Sequence, residues 1–166
     1  MNYAKIKPVD VANGEGVRVS IFVSGCPHHC EGCFNEELWG YDVGQEFGYD
    51  TVMEILELCS KPYIAGLSIL GGEPLAPENA AFTLVLCHIF KTRFPRKDIW
   101  LYTGYKWEQV KGMTVMKYVD VVVDGKFIEE LKDPRLKFRG SSNQRIILTK
   151  PSLENGAVYV RKDLMG

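Results

Sequence analysis

Short runs of β-branched and aromatic residues recur along the chain, and segments with apolar residues at helical spacing lie between them. Uninterrupted apolar runs are typical of buried strands, whereas apolar positions three or four residues apart are typical of helices that pack one face on a core. Strands are predicted over residues 17–24, 65–70, 98–102, 118–123, 144–149 and 157–160. Helices are predicted over residues 50–61, 77–94 and 107–111, with a helical turn over residues 127–131.

The predicted strands alternate with predicted helices over the first two thirds of the sequence. This alternation indicates an α/β protein with a mostly parallel sheet, because parallel neighbours need a crossover that is usually helical. A closed barrel of eight strand–helix units needs about 250 residues, and this chain has 166. We therefore expect a single domain, residues 1–166, that forms a partial, open barrel of about five or six mostly parallel strands.

The composition is that of an ordinary globular domain, with 46% hydrophobic and 25% charged residues and a formal net charge of −1. Because basic residues are not in excess, nucleic acid is not an expected partner. The N-terminus lacks the apolar run of a signal peptide, and no segment is long and apolar enough to span a bilayer. We expect a cytoplasmic protein with no membrane partner, whose thiols stay reduced. Cys59 and Cys87 fall at apolar positions of predicted helices and are expected in the core.

Three of the five cysteines, Cys26, Cys30 and Cys33, lie within eight residues, directly after the first predicted strand. A loop this short can bring three thiolates around one metal centre, and thiolates favour zinc or iron–sulfur clusters. A cubane cluster held by three cysteines keeps one iron available for a small-molecule ligand. Three alternatives stay open: a disulfide, a structural zinc ion with His28 or His29 as the fourth ligand, and buried cysteines without function.

Glycine and polar residues follow the other predicted strands. Gly71, Gly72 and Glu73 come after the second strand, where two glycines let a ligand approach the backbone and a carboxylate suits an ammonium group. Thr103 and Asp124 end two further strands. The carboxyl ends of parallel strands are where ligands bind in α/β folds, although each of these segments could also be a plain turn.

The spacing Cys26-x3-Cys30-x2-Cys33, followed by Gly71-Gly72-Glu73, resembles the radical S-adenosylmethionine superfamily. Three further stretches narrow the resemblance: Cys33-Phe34-Asn35 with Trp39, the run from Trp100 to Tyr105, and the run from Asp120 to Gly125 with Arg139-Gly140-Ser141-Ser142-Asn143-Gln144-Arg145 beyond it. Together with the small size, these stretches resemble the activating enzymes of anaerobic (class III) ribonucleotide reductases. The resemblance covers residues 10–148.

This resemblance implies a fold of the radical S-adenosylmethionine type and an oxidoreductase activity. It implies that Cys26, Cys30 and Cys33 are catalytic and bind three irons of a 4Fe–4S cluster, whose fourth iron chelates the methionine part of S-adenosylmethionine. The reduced cluster would cleave that cofactor to methionine and a 5′-deoxyadenosyl radical, which removes a hydrogen atom from a glycine of the reductase. The implied partners are the large subunit of the reductase and a low-potential electron donor such as flavodoxin.

The resemblance also implies which residues contact the cofactor: Gly32, Cys33, Phe34, Gly71, Gly72, Glu73, Thr103 and Asp124. The glycine turn would hold the amino group. Many members carry an aromatic residue before the third cysteine, where this chain has Gly32, and Phe34 is the aromatic residue nearby. We therefore expect the backbone around these two residues to contact the adenine, and we expect Thr103 and Asp124 to face the site because they end parallel strands.

Two other functions are kept as alternatives. One is activation of a different glycyl-radical enzyme, of the pyruvate formate-lyase type. The other is a zinc-binding interaction module, in which the Gly-Gly-Glu turn would have no role. Iron and sulfide analysis separates zinc from a cluster, and a glycyl-radical signal on each candidate partner separates the two activases.

Overall fold

A mixed seven-stranded sheet forms the centre of the protein in the computed structural model, which describes residues 1–165. Its order is β3-β1-β2-β4-β5-β6-β7. The neighbours among β2, β4, β5 and β6 are parallel, whereas β1, β3 and β7 form antiparallel pairs at the two edges. The strands are β1 (Asn2–Asp10), β2 (Arg18–Val23), β3 (Gln45–Glu46), β4 (Gly66–Gly71), β5 (Asp98–Tyr102), β6 (Val121–Asp124) and β7 (Arg145–Leu148).

The α/β class is confirmed and the sheet is not closed, but a partial barrel of five or six mostly parallel strands is not confirmed, because the sheet has seven strands and only its four central strands are parallel neighbours. Strand β1 was not predicted, because Tyr3 and Asp10 are buried while Lys5 and Pro8 between them are exposed and interrupt the apolar pattern. Strand β7 returns antiparallel to β6 through the loop of residues 126–144, and antiparallel neighbours need no crossover helix.

Helices cover the sheet, and within the described residues they are α1 (Tyr49–Cys59), α2 (Ala80–Arg93), α3 (Trp107–Val110), α4 (Thr149–Asn155) and α5 (Lys162–Met165). Helix α1 is capped by Gly48, and Asp50 lies in its first turn instead of at the predicted N-cap. Helix α2 begins at Ala80, later than the predicted residue 77, because Asn79 donates its side-chain amide to the carbonyls of Ser24 and Glu73 and so holds the preceding turn.

The segment after β7 departs most from the prediction. Residues 149–155 form helix α4, where the sequence predicted the end of a strand and then a turn. Residues 157–160 form no strand, and Val160 makes a single bridge to Ile147. The helix is held in place because the Ser152 hydroxyl donates to the Leu148 carbonyl, and it ends at Gly156 in the left-handed conformation that glycine tolerates.

The core lies between the sheet and helices α1 and α2. Strands β2 and β4 are buried along almost their whole length, as expected for central parallel strands that are covered on both faces. Ile55 and Cys59 of α1 and Cys87 and Phe90 of α2 are 0% exposed. The prediction that Cys59 and Cys87 are core residues is therefore confirmed.

Because β2, β4, β5 and β6 run in the same direction, the segments that follow them emerge at one edge of the sheet. These segments are the cysteine loop (residues 25–35), the glycine turn (residues 71–73), residues 103–105 and residues 124–126. The fold therefore places the predicted site residues next to one another.

No helix within residues 1–165 has the length and apolar character needed to cross a membrane.

Candidate active site

A cavity of about 460 Å³ lies at the carboxyl ends of the parallel strands. Cys26, Cys30 and Cys33 line it together with the glycine turn, Phe34 and Thr103. Its other side is formed by residues of the loop that connects β6 to β7, which we call the covering loop (residues 126–144). Of the site residues predicted from the sequence, Gly32 and Asp124 are the two that do not line this cavity.

The cysteine loop leaves β2 in a fixed direction. Its first amides are held because Gly25 N–H donates to the Leu38 carbonyl and Cys26 N–H to the Trp39 carbonyl, at 2.8 and 3.1 Å. Gly25 has a φ of +94°, and a side chain there would come within 2.0 Å of the Tyr41 ring. Only glycine therefore allows the chain to turn from the strand into the loop at this position.

The loop then winds so that its sulfurs face the cavity. The Cys33 N–H donates to the Cys30 carbonyl at 3.2 Å, and the Asn35 N–H lies 3.4 Å from the Cys33 sulfur. His29, with a φ of 48°, stacks on the Trp39 ring at 4.4 Å. These contacts give the loop a defined conformation around three sulfur ligands.

Two thiol groups of the cysteine loop have raised pKa values, which the positive charge of a bound metal would offset. Burial raises the pKa of Cys26, and the negative charge of Glu73 raises it further, although backbone N–H groups of His28 and His29 act in the opposite direction. Burial also raises the pKa of Cys30, followed by the effect of neighbouring Cys33. Thiolates at these two positions therefore need a cation as partner, and binding one releases their protons.

The donor set fits an iron–sulfur cluster better than a single ion. Within residues 1–165, no three His, Cys, Asp or Glu side chains converge closely enough to hold one metal ion. A zinc ion needs its four ligands at about 2.0–2.3 Å, so the chain offers it no ready site. A 4Fe–4S cluster takes each thiolate on a different iron, so three cysteines that line one cavity suit its preference for sulfur ligands.

Glu73 lines the cavity, although its side chain is almost completely buried, at 1% exposure. Its Oε1 atom accepts hydrogen bonds from His28 Nε2 at 2.6 Å and from the Gly104 N–H at 2.7 Å. Its Oε2 atom accepts from the Thr103 hydroxyl at 2.8 Å and from the Leu75 N–H at 3.0 Å. The carboxylate, which the sequence suggested for an ammonium group, thus already accepts four hydrogen bonds from the protein.

The glycine turn is joined directly to the start of the cysteine loop. The Gly72 N–H donates to the Val23 carbonyl at 2.8 Å and the Glu73 N–H to the Gly25 carbonyl at 2.7 Å. A side chain at Gly72 would come within 2.4 Å of that same Gly25 oxygen. The side-chain amide of Asn35 donates to the Gly71 carbonyl at 3.3 Å. Two glycines are therefore needed at this point because the backbone of another segment lies against them.

Phe34 projects from the cysteine loop and is 60% exposed. Its ring lies 5.0 Å from the Phe127 ring and 5.1 Å from Lys132 Nζ, both in the covering loop. A side chain at Gly140 would come within 3.0 Å of Phe34, so that glycine allows the loop to pack closely. Gly32 faces Glu129 of the same loop.

The Arg-Gly-Ser-Ser-Asn-Gln-Arg stretch explains how the covering loop keeps its shape. Gln144 accepts hydrogen bonds from the N–H groups of Gly140 and Ser141, and its amide nitrogen donates to the Gly125 carbonyl at 2.9 Å. Arg139 donates to the carbonyls of Ser142 and Gln144. Most polar groups of this stretch therefore bind the protein itself.

Asp124 is 1% exposed and lines, with His28 and Cys30, a neighbouring cavity of about 830 Å³. Its carboxylate accepts from Arg145 Nη2 at 2.6 Å, from Arg145 Nε at 3.1 Å and from the Trp107 N–H at 2.8 Å. The side chain of Asp124 is therefore part of an internal ion pair that fixes the ends of β6 and β7. Thr103, 5% exposed, reaches the site through its bond to Glu73.

Several residues that the structure places in the site were not predicted from the sequence to belong to it. His28 was considered only as a zinc ligand, and Asn35 and Tyr102 appeared only inside longer stretches. The Tyr102 hydroxyl donates to the Phe138 carbonyl at 2.8 Å and so attaches the covering loop to β5. A signal for His28 was its position between two cysteines, but no pattern in the sequence indicates its partner 45 residues away.

Comparison with known proteins agrees with this geometry. A family model described as "4Fe-4S single cluster domain" matches residues 12–147, which include the cysteine loop, the glycine turn and the covering loop. The class of protein is thus an α/β domain that carries one 4Fe–4S cluster.

The curated relatives are more specific. An anaerobic ribonucleoside-triphosphate reductase-activating protein of Enterobacteria phage T4 is 49% identical over 146 residues, which are 88% of this chain and 93% of the relative. Proteins of the same name from Escherichia coli K12 and Vibrio cholerae are each 43% identical, and the matches cover 87% and 88% of this chain and 96% and 97% of the relatives. This chain belongs to the family of anaerobic ribonucleoside-triphosphate reductase-activating proteins.

Proposed function

We propose that this protein is a radical S-adenosylmethionine enzyme that introduces a glycyl radical into anaerobic ribonucleoside-triphosphate reductase. The observation that carries the proposal is the convergence of three cysteines and a glycine turn on one cavity, in a chain of the activating-protein family. The reductase enters through the names of the relatives, and S-adenosylmethionine enters through the resemblance of the motifs.

Cys26, Cys30 and Cys33 would hold three irons of the cluster, and the cavity beside them would hold the cofactor. When bound, the cluster and S-adenosylmethionine would supply one-electron reductive cleavage of that cofactor, with methionine as the leaving product, and the radical chemistry that removes a hydrogen atom from a glycine of the reductase. The protein itself binds and orients these groups, and it uses no paired acid and base for the chemistry.

The carbonyl oxygens of the glycine turn are suited to the amino group of the cofactor, with the negative charge of buried Glu73 behind them. The backbone from Gly32 through Cys33 to Phe34 is proposed to contact the adenine. Thr103 acts through Glu73, and Asp124 positions the end of β6 through its bonds to Arg145.

The first experiment is reconstitution with iron and sulfide under anoxia, followed by reduction with dithionite. We expect about four irons and four sulfides per chain and release of 5′-deoxyadenosine from S-adenosylmethionine. The Cys30→Ala variant should lose both, whereas Cys59→Ala, which removes a buried cysteine outside the site, should retain both. Bound zinc in place of iron and sulfide, or no 5′-deoxyadenosine from the loaded protein, would refute the proposal.

The second experiment identifies the target. The loaded protein is incubated with anaerobic ribonucleoside-triphosphate reductase or with a pyruvate formate-lyase type enzyme, and the glycyl radical is measured by electron paramagnetic resonance. A signal on the reductase supports the proposal, and a signal only on the other enzyme supports the alternative activase. Repeating the assay with reduced flavodoxin in place of dithionite tests the proposed electron donor. We also propose a cytoplasmic location, because the three loop thiols must stay reduced to bind the cluster.

A further inference from the structure

His28 lies inside the cysteine loop, yet its side chain is only 7% exposed. Its ring packs edge-on against Tyr105 with 4.6 Å between centroids. A side chain at Gly104 would come within 2.5 Å of the ring, so the main chain after β5 lies directly against it. His29, the next residue, is exposed and stacks on Trp39. His28 alone of this pair is enclosed by the strand ends.

The polar end of His28 faces the buried carboxylate. Its Nε2 group donates to Glu73 Oε1 at 2.6 Å, across 45 residues of sequence. The other donors to this carboxylate are Thr103 and Gly104, which follow β5, and Leu75, which follows the glycine turn. The side chain of Glu73 therefore joins three segments, and His28 is its link to the cysteine loop, whose start is also held by the bond from the Glu73 N–H to the Gly25 carbonyl.

We propose that His28 is a positioning residue that fixes the cysteine loop relative to the glycine turn through Glu73, an inference that rests on the proposed function. The thiolates set the position of the cluster, and the turn sets the position of the amino group of the cofactor. Because one molecule must reach both, the distance between loop and turn has to be held closely, and a displacement of about 1 Å is enough to reduce such a reaction by orders of magnitude.

The side-chain link from Asn35 to the Gly71 carbonyl, at 3.3 Å, is longer and joins two neutral groups. Hydrogen bonds to a charged acceptor are about twice as strong as neutral ones. Loss of His28 should therefore leave a loop that still has its three thiols, and whose start is still held by the bond from the Glu73 N–H to the Gly25 carbonyl, but whose later part, with Cys30 and Cys33, no longer keeps one distance to the turn. Binding of the cluster would survive, and binding of the cofactor would weaken.

The test compares the wild-type chain with His28→Ala, His28→Gln and His88→Ala, all reconstituted under anoxia. Glutamine keeps an N–H donor for Glu73, and His88→Ala removes an exposed imidazole of α2 that lies outside the site. Three quantities are measured: iron and sulfide content, the dissociation constant for S-adenosylmethionine by equilibrium dialysis, and the change that this cofactor produces in the electron paramagnetic resonance spectrum of the reduced cluster.

We expect all four proteins to load the cluster. His28→Ala should bind S-adenosylmethionine about tenfold more weakly or worse, the scale of one lost hydrogen bond to a charged group, and should lose the spectral change. His28→Gln should return to within about threefold of the wild type, and His88→Ala should match the wild type. A Glu73→Gln change combined with His28→Ala should weaken binding no further than Glu73→Gln alone, because His28 acts through Glu73.

Wild-type affinity and an unchanged spectral response in His28→Ala would overturn the proposal. Loss of iron loading in both His28→Ala and His28→Gln would also overturn it, because His28 would then be needed to assemble the loop and not to set its distance. A wild-type chain that loads the cluster but binds no S-adenosylmethionine would instead refute the proposed function, so the two failures are distinguishable.

Discussion

Thr103 offers the sharpest test of the hydrogen-bond arrangement around Glu73. Its hydroxyl donates to Glu73 Oε2 at 2.8 Å and accepts from the Tyr105 N–H at 3.1 Å, and Thr103 itself is 5% exposed. Valine has nearly the same shape but no hydroxyl, so Thr103→Val leaves the volume unchanged and removes one of four donors from a buried carboxylate. A hydrogen bond to a charged group contributes about 1.5–3 kcal/mol, and a buried group left without it is penalised on a similar scale.

We therefore expect Thr103→Val to lower the free energy of unfolding of the metal-free chain by about 1.5–3 kcal/mol. The corresponding decrease in melting temperature is about 3–12 °C for a domain of this size. Urea unfolding under anoxia measures the first quantity directly. Working without the cluster matters, because the result then depends only on contacts within the chain.

Two controls separate the hydroxyl from other effects of the substitution. Thr103→Ser keeps the hydroxyl and should retain most of the stability. Thr92→Val removes an exposed hydroxyl that bonds to the His88 carbonyl one helical turn earlier, and it should change the free energy of unfolding by less than about 0.5 kcal/mol. A Thr103→Val effect as small as that of Thr92→Val would show that the Glu73 carboxylate does not depend on its donors.

Three further predictions follow from burial and backbone geometry. Burial raises the pKa of Cys59 to about 12 and that of Cys87 further, so thiol reagents at pH 8 should modify only the three loop cysteines of the native metal-free chain and reach the other two after unfolding. Gly71 has a φ of +113°, and a side chain there would lie 2.6 Å from the Val23 carbonyl, so Gly71→Ala should lower the free energy of unfolding by at least about 1–3 kcal/mol in urea. Burial alone would raise the pKa of Asp10, but its hydrogen bonds outweigh burial and hold the pKa below 3.8. The stabilisation that ionised Asp10 gives to the folded protein is therefore present above the pKa of Asp10 in the unfolded chain and is lost as the pH falls through its pKa in the folded protein. The difference in free energy of unfolding between wild type and Asp10→Asn should shrink below about pH 4, as measured by urea unfolding at several pH values.

The sequence predicted the bounds of four strands within one residue. Strands β2, β4 and β5 are dominated by apolar residues, although Arg18, Ser20 and Ser68 interrupt them, and β7 was predicted equally well, whereas β6 begins three residues later than predicted. Strand β1 has a half-exposed pattern with Pro8 inside it, and helix α4 contains Pro151 and polar residues of low helix propensity. Both depend on contacts with distant segments, so local preference alone could not reveal them.

In the site, too, some features could be predicted from the sequence and others could not. The positions of the cysteine loop and the glycine turn were predictable, because both follow parallel strands and the carboxyl ends of such strands meet at one edge. The partners of the buried carboxylates were not, because they lie far away in sequence: Glu73 binds His28 at a separation of 45 residues, and Asp124 binds Arg145 at a separation of 21. A carboxylate at a strand end therefore predicts a location but not whether it faces a ligand or the protein.

The two buried carboxylates at this edge have different consequences for the site. Asp124 pairs with Arg145, and this pair fixes the end of β6 against the start of β7. Within residues 1–165, Glu73 has no arginine or lysine among its partners and relies on His28, one hydroxyl and two backbone N–H groups. Burying a carboxylate is unfavourable unless its hydrogen bonds are made, so the segments that supply them must return to the same place each time the chain folds. Because the buried Glu73 carboxylate must keep its hydrogen bonds, it fixes the spacing of the cysteine loop, the glycine turn and the end of β5. A cofactor bound by these three segments would need that fixed spacing.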